Sequence, residues 1–198
     1  MLKKDELKIL KLLFTDLTRN LTIMDISKEL GQKYVQTYRT IKNLANNNDV
    51  QIDPVGNCKV VNLNLSKYNS NYVVAEIERQ KEICKNKNIN LIHKQILEIN
   101  KNFVCILFGS QIKKALSNSD VDLLFVIPNE YSQNLFEKKV KQQLAPYNCD
   151  ITIINEESLF NMWARPKRLN VGNEILKKHA VLYGSEHFIN LLKKHYQG

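Results

Sequence analysis

The central stretch of the chain, residues 103–127, reads FVCILFGSQIKKALSNSDVDLLFVI. It contains two continuous apolar runs, 103–108 and 121–127, and such runs are typical of strands that are buried on both faces of a sheet. The first run ends at Gly109-Ser110, and a polar segment separates this pair from the second run. Strand-like and helix-like segments alternate from here on, which predicts an α/β domain.

Two carboxylates mark the start of the second run. Asp120 and Asp122 are two positions apart, and side chains at i and i+2 of a strand point to the same face. A third acid, Asp150, begins the β-prone run 150–154, and the three carboxylates converge if the two strands are neighbours. Carboxylates that lie this near to each other repel, and a cation bound between them removes the repulsion. Oxygen atoms are the ligands that Mg²⁺ prefers. These acids are therefore the predicted metal ligands and catalytic residues.

The Gly-Ser pair has the properties of a phosphate cradle. Gly109 lets the backbone approach a phosphate closely, and adjacent backbone N–H groups bind anions. Ser110 adds a hydroxyl donor, and Lys113 adds positive charge nearby. We therefore predict that Gly109, Ser110 and Lys113 bind a nucleotide.

The whole string resembles the nucleotidyltransferase superfamily with a DNA-polymerase-beta-like palm. Within it, the string looks most like the minimal nucleotidyltransferases related to the kanamycin nucleotidyltransferases, and the resemblance covers residues 90–185. That family carries a strand, a Gly-Ser pair, a spacer, an Asp-x-Asp motif and a distant third acid. The matching residues are Gly109, Ser110, Asp120, Asp122 and Asp150.

The resemblance implies an α/β (α+β) palm with a mixed sheet, and a chemistry of nucleotidyl transfer. One Mg²⁺ ion would bridge Asp120, Asp122 and the triphosphate, and a second, held by all three acids, would activate an acceptor hydroxyl. The acceptor attacks the α-phosphorus of ATP or another nucleoside triphosphate, and pyrophosphate leaves. Transfer of AMP from ATP is the favoured case, and Asp150 is the best candidate for a general base.

A different pattern fills residues 1–66. Apolar residues recur at helical spacing over 4–15, and Thr22 begins a second helix that ends at Gly31. A third helix is predicted over 33–46. Two helices joined by a short turn that contains glycine are a helix-turn-helix signature.

Two β-prone runs follow the third helix and flank residues 53–57, which have the composition of a hairpin loop. Three helices and a hairpin resemble a winged helix-turn-helix domain. We therefore divide the chain into this domain at 1–66, connecting helices at 67–100 and a nucleotidyltransferase domain at 101–198.

The third helix contains no acid, and its pattern places Tyr34, Tyr38 and Ile41 on the face that packs. Arginine and glutamine read base edges, while lysine and threonine bind phosphates. The predicted DNA contacts are Lys33, Gln36, Arg39, Thr40 and Asn43 on this helix and Lys59 in the hairpin. The alternative is that this small domain mediates protein interaction or dimerisation.

Composition favours polyanionic partners. The 198 residues include 29 lysines and arginines against 20 aspartates and glutamates, which gives a net charge of +9. A lysine-rich solvated surface is the plainer explanation of that charge. The chain begins with no signal-peptide pattern, has no apolar run of membrane-spanning length, and has no CxxC pair among its four cysteines. We therefore expect a cytoplasmic protein without a membrane partner or a zinc site.

Two further functions remain open. The chain could be a DNA-binding regulator whose nucleotidyltransferase fold senses nucleotide, or an antitoxin that pairs with a helical toxin, as the family resemblance allows. A homodimer is compatible with either function. Trp163 and the basic segment 165–168 could stack a base and bind phosphate, although a helix end with a solvated basic loop is the favoured interpretation.

Overall fold

The computed structural model describes residues 2–99, 101–112 and 120–197. Lys113, which is predicted to bind the nucleotide, lies outside the described residues. Within them, no helix is both long and apolar enough to cross a membrane.

The first third of the chain contains three helices and a small sheet. Its elements are α1 (Lys4–Thr15), β1 (Leu21–Thr22), α2 (Ile23–Glu29), α3 (Tyr34–Asn46), β2 (Val50–Val55) and β3 (Cys58–Leu63). The strands are antiparallel, and β3 lies between β1 and β2. Thr22 and Asp25 form a capping box, in which each side chain accepts from the other residue's backbone N–H.

The hairpin loop is shorter than predicted. The loop was expected over 53–57, but β2 continues through Val55, which pairs with Cys58. Only Gly56 and Asn57 remain in the turn, and Gly56 has a φ of +57°. A two-residue hairpin turn needs positive φ, and glycine adopts it without a steric penalty.

The packing face of α3 differs from the predicted one. Thr37, Ile41 and Leu44 are buried, whereas Tyr34 is 45% exposed and Tyr38 is only half-buried. Successive helical residues are about 100° apart, so Tyr34 and Tyr38 lie about 60° and 100° round the helix from Thr37. The prediction that both tyrosines face the core was therefore confirmed in part: Tyr38 packs against the core with one side, whereas Tyr34 lies at the exposed border of the buried stripe.

The rest of the chain builds a four-stranded mixed sheet with helices on both faces. Its elements are α4 (Ser70–Ile83), α5 (Lys87–Leu97), β4 (Val104–Leu107), β5 (Val121–Ile127), α6 (Gln133–Leu144), β6 (Cys149–Asn155), α7 (Glu156–Trp163), α8 (Val171–Lys177), β7 (Ala180–Tyr183) and α9 (Ser185–Gln197). The strand order is β6-β5-β4-β7. Strands β5 and β6 are parallel, and the other two pairings are antiparallel.

Alternate side chains of β5 enter two different cores. Leu123 and Phe125 pack with α5 and α6, while Leu124 and Val126 pack with α7, α8 and α9. The second core also contains Phe14 of α1, so it extends from the sheet into the N-terminal helices. Asp122 has the same strand parity as Leu124, and it therefore projects on the α7–α9 side of the sheet.

Helix α4 joins the N-terminal helices to this sheet. Its Tyr72 is fully buried, and the ring packs edge-on against Phe14 at a centroid distance of 5.4 Å. The Tyr72 hydroxyl donates to the backbone carbonyl of Asp49. Helix α4 also packs on β7 and α9. The segment that we predicted to connect two domains thus contributes to the shared core.

Candidate active site

Two of the three predicted acids lie directly opposite each other on neighbouring strands. Asp122 of β5 is in register with Asp150 of β6 in the parallel pair. Neighbouring strands are about 4.8 Å apart, and residues in register point to the same face. Asp120 lies two positions before Asp122, immediately before β5, on that same face. The three carboxylates thus occur together at one end of the sheet.

Gly109 brings its backbone against the central carboxylate. Its φ is +74°, and a Cβ placed on it would lie 1.9 Å from Asp122 Oδ2. The Ser110 backbone N–H donates to the Asp122 carboxylate, and the Phe108 N–H donates to the Asp122 carbonyl at 3.1 Å. Residues 110–112 then form a short 3₁₀ turn. The glycine was predicted to approach a phosphate, and its closest neighbour in the structure is a carboxylate.

The electrostatics of Asp122 reflect this crowding. Partial burial raises the pKa of its carboxyl group, and the negative charges of Asp150, Asp120 and Glu174 raise it further. The Ser110 N–H opposes this by stabilising the carboxylate. Asp120 and Asp150 are exposed, and the Asn148 amide donates to Asp120. Negative charge is therefore concentrated at the start of β5, where a cation would relieve it.

The donor set has the chemistry for Mg²⁺ but does not form a closed cage. Within the described part of the chain, no group of three or more His, Cys, Asp or Glu side chains is arranged to hold a metal ion. Mg²⁺ in nucleotide sites usually takes only one or two carboxylates and completes its shell with phosphates and water. The Asp120–Asp122 pair fits that mode of binding, in which substrate supplies the remaining ligands.

Residues 89–171 match the family model of the nucleotidyltransferase domain. The match spans the Gly109 bend and all three acids, and it supports membership of the nucleotidyltransferase superfamily. No curated protein and no solved structure matches the chain significantly.

Helix α8 and the residue that follows it add two charged side chains to the candidate site, and neither was predicted from the sequence. Glu174 is close enough to Asp122 to raise its pKa. Lys178, at the end of α8, donates from Nζ to the Gly109 carbonyl at 3.5 Å. No local pattern indicates this, because Lys178 follows the end of α8 in an extended conformation.

Buried polar contacts fix the backbone next to Lys178. The Arg79 guanidinium donates to the carbonyl of His179 and pairs with the Glu76 carboxylate. Glu76 and His179 are fully buried. Burial raises the pKa of Glu76 and lowers that of His179 well below its usual value. Arg79 therefore holds the strand start that follows Lys178.

The predicted DNA contacts divide into two groups. Lys33, Gln36, Arg39, Thr40 and Asn43 line one groove between α1 and α3. The Gln36 amide donates to the Asp5 carboxylate at 2.8 Å, and the Thr40 hydroxyl donates to the Gln36 carbonyl at 3.0 Å. Lys59 lies apart from them, in a second groove that Tyr34 and Tyr38 also line. The structure thus groups the five helix residues and separates the hairpin lysine from them.

Trp163 is not available to stack a base. Its side chain is 2% exposed, and its indole N–H donates to the Gly172 carbonyl at 2.8 Å. The following segment, 165–168, is exposed, in agreement with the favoured interpretation of a helix end and a solvated basic loop.

Proposed function

We propose that the chain transfers a nucleoside monophosphate, with AMP from ATP as the favoured case, to a hydroxyl acceptor. The matched domain indicates nucleotidyl transfer in general. The observation that carries the proposal is the register of Asp122 with Asp150, beside Asp120 and beneath the Gly109 backbone. This arrangement supports a cation site at one end of the sheet, with the exposed Gly109-Ser110 backbone beside it.

The residues around the acids have distinct tasks in this reaction. Lys178 Nζ lies beside the Gly109 carbonyl, where it can neutralise a bound phosphate. Asp120 and Asp122 would hold Mg²⁺ together with the triphosphate. When bound, the cation stabilises the attacking and leaving oxygens of an in-line displacement.

Asp150 is the candidate base because it is exposed and opposite Asp122. The acceptor oxygen forms a bond to the α-phosphorus, the bond to the bridging oxygen of the β-phosphate breaks, and Asp150 takes the acceptor proton. Pyrophosphate leaves with the electron pair of the broken bond. Positioning of the acceptor and neutralisation of charge account for most of the acceleration in such a site.

Nucleoside triphosphates labelled at the α-phosphate test the proposal. The full chain is incubated with each nucleotide and Mg²⁺ against protein, nucleic-acid and small hydroxyl acceptors. We expect transfer that Asp122→Asn abolishes and that chelation of Mg²⁺ prevents. The control is Glu137→Gln, which removes a carboxylate that pairs with Lys141 on the opposite side of the sheet. Failure of the wild type to bind any nucleotide would overturn the proposal.

A second proposal is that residues 1–66 form a winged helix-turn-helix domain that binds DNA. It is supported by the order of three helices and an antiparallel hairpin, whose second strand also pairs with β1. The groove between α1 and α3 brings four cations together against two acids, which favours phosphates. These cations are Lys3, Lys4, Lys33 and Arg39.

A gel-shift assay with duplex DNA separates the two functions. Binding that persists in Asp122→Asn but is lost in a Lys33→Gln/Arg39→Gln variant would assign DNA to the N-terminal groove. If the wild type then transfers no nucleotide, the chain is a regulator rather than a transferase. The absence of a shift at low salt would remove the DNA-binding proposal.

A further inference from the structure

A second groove on the N-terminal part of the chain has a composition that differs from the first. It lies between the start of α2, the exposed flank of α3 and the β2–β3 turn, and its volume is about 350 Å³. Pockets for small ligands or single planar groups begin at about 300 Å³. We call it the tyrosine pocket, and its lining residues are Thr22, Ile23, Met24, Tyr34, Tyr38, Asn57, Cys58 and Lys59.

Aromatic and apolar groups dominate the accessible surface of the tyrosine pocket. The rings of Tyr34 and Tyr38 are stacked, with centroids 6.3 Å apart and planes at 23°. Tyr34 is 45% exposed, and the neighbouring Met24 is 47% exposed. Nearly parallel rings with one open face form a platform on which another flat group can stack.

The charge in the lining of the pocket is positive and favours an anionic ligand. Its lining, which lies wholly within the described residues, contains Lys59 and no acid. Helix α3 also contains no acid, and its exposed cations Lys33 and Arg39 line the neighbouring groove between α1 and α3. Proteins that bind single-stranded nucleic acid combine stacking aromatic residues with lysines and arginines. The rings stack on the bases, and the cations lie along the phosphate backbone.

Duplex readout fits this face of α3 less well. Base-edge recognition in the major groove needs free polar side chains. Gln36, which was predicted to read a base edge, donates to Asp5, and Thr40, which was predicted to bind phosphate, donates to the Gln36 carbonyl. They also lie on the flank of the helix opposite the two tyrosines, because residues 36 and 40 are about −100° and −60° from Thr37. The flank that lines the tyrosine pocket is therefore aromatic, and the predicted base reader Arg39 lines the other groove.

We propose that the tyrosine pocket binds unpaired bases of a single-stranded nucleic acid, with Tyr34 and Tyr38 as the stacking platform and Lys59 on the phosphate backbone. This rests on the proposed nucleic-acid function of residues 1–66 and changes its ligand from duplex to single strand. Loss of one stacking aromatic is expected to weaken binding about 5- to 150-fold.

Fluorescence anisotropy with the full-length protein tests the pocket. Labelled single-stranded DNA and RNA of roughly 12 nucleotides are compared with the matching duplexes. We expect both single strands to bind more tightly than the duplexes. Tyr34→Leu should weaken single-strand binding by the factor above, and Tyr34→Phe should restore it, because the ring rather than the hydroxyl stacks. Tyr68→Leu is the matched control, since Tyr68 is 41% exposed and lies outside the pocket.

Two further measurements locate the ligand. Lys59→Gln should reduce the salt dependence of single-strand binding, because one phosphate contact is lost. Cys58 is exposed in the pocket lining, so a bound oligonucleotide should slow its alkylation by iodoacetamide. Duplex binding that depends on Arg39 and not on Tyr34 would overturn the tyrosine-pocket proposal and leave the DNA-binding proposal intact. Failure of every oligonucleotide to bind would overturn both.

Discussion

Replacement of Gly109 by alanine tests the geometry of the candidate active site directly. The Cβ would lie 1.9 Å from Asp122 Oδ2, whereas ordinary contacts are about 3.5 Å, so the carboxylate must withdraw by more than 1 Å. Misplacement by about 1 Å at a reacting centre can cost about 10²-fold in rate. We therefore expect Gly109→Ala to reduce nucleotidyl transfer by about two orders of magnitude.

The matched control is Gly31→Ala. Gly31 has a φ of +60°, close to the +74° of Gly109, but a Cβ placed on it meets nothing within 4 Å. Both variants therefore bear the cost of an L-residue in the left-handed region, about 1–2 kcal/mol. For a chain of this length, that cost lowers the Tm by about 2–8 °C. Only Gly109→Ala also moves a carboxylate.

Two assays are applied to both variants. Thermal unfolding measures the cost of backbone strain, and transfer of α-labelled nucleotide measures the effect on catalysis. We expect a similar fall in Tm for the two proteins and a loss of transfer only in Gly109→Ala. If Gly109→Ala remains folded and keeps activity within a few-fold of Gly31→Ala, the contact between Gly109 and Asp122 has no role in catalysis. The assignment of the bend as the nucleotide cradle would then be refuted.

Three other predictions follow from the site and its surroundings. Asp150→Asn should lower kcat by about 10²- to 10⁴-fold while nucleotide affinity changes little, because a general base acts on the acceptor. Equilibrium binding measures the nucleotide affinity, and single-turnover rates measure the chemical step. Lys178→Ala should raise the KM for nucleotide about tenfold, since a charged contact to phosphate is removed, and an unchanged KM would exclude this role. Iodoacetamide at pH 8 should label the exposed Cys58 well before Cys149, because burial raises the Cys149 pKa to about 11. As the pH is raised, the rate of Cys149 labelling should increase about tenfold per pH unit up to that value. Peptide mass spectrometry measures the labelling of each cysteine.

Much of the nucleotidyltransferase domain could be predicted from local sequence. The apolar runs that became β4 and β5 are continuous, because both faces of these strands are covered by helices. Helix α6 lies between β5 and β6 in the chain, and a helix that connects neighbouring strands makes them parallel. Parallel pairing of two strands that each begin near an aspartate then brings Asp122 opposite Asp150.

The contribution of α8 could not be predicted in the same way. Lys178 reaches Gly109 because β7 pairs with β4, and that pairing joins segments far apart in the chain. No local periodicity reports such a contact. The orientation of α3 was predicted only in part for another reason. Tyr34 and Tyr38 border the buried stripe, and the pattern of apolar residues does not show that Tyr38 packs against the core while Tyr34 is exposed.

The N-terminal helices and the sheet share structure across the predicted boundary at residue 66. The Leu17 N–H donates to the Leu176 carbonyl at 2.8 Å, and carbonyls in the last turn of a helix have no partner within the helix. Phe14 also packs on Tyr72 of α4, whose Arg79 holds the backbone beside Lys178. Removal of the N-terminal residues would expose this core and free the carbonyl end of α8, which carries Lys178. The catalytic and nucleic-acid proposals must therefore both be measured on the full chain, because a truncated nucleotidyltransferase domain would lose contacts that position its own site.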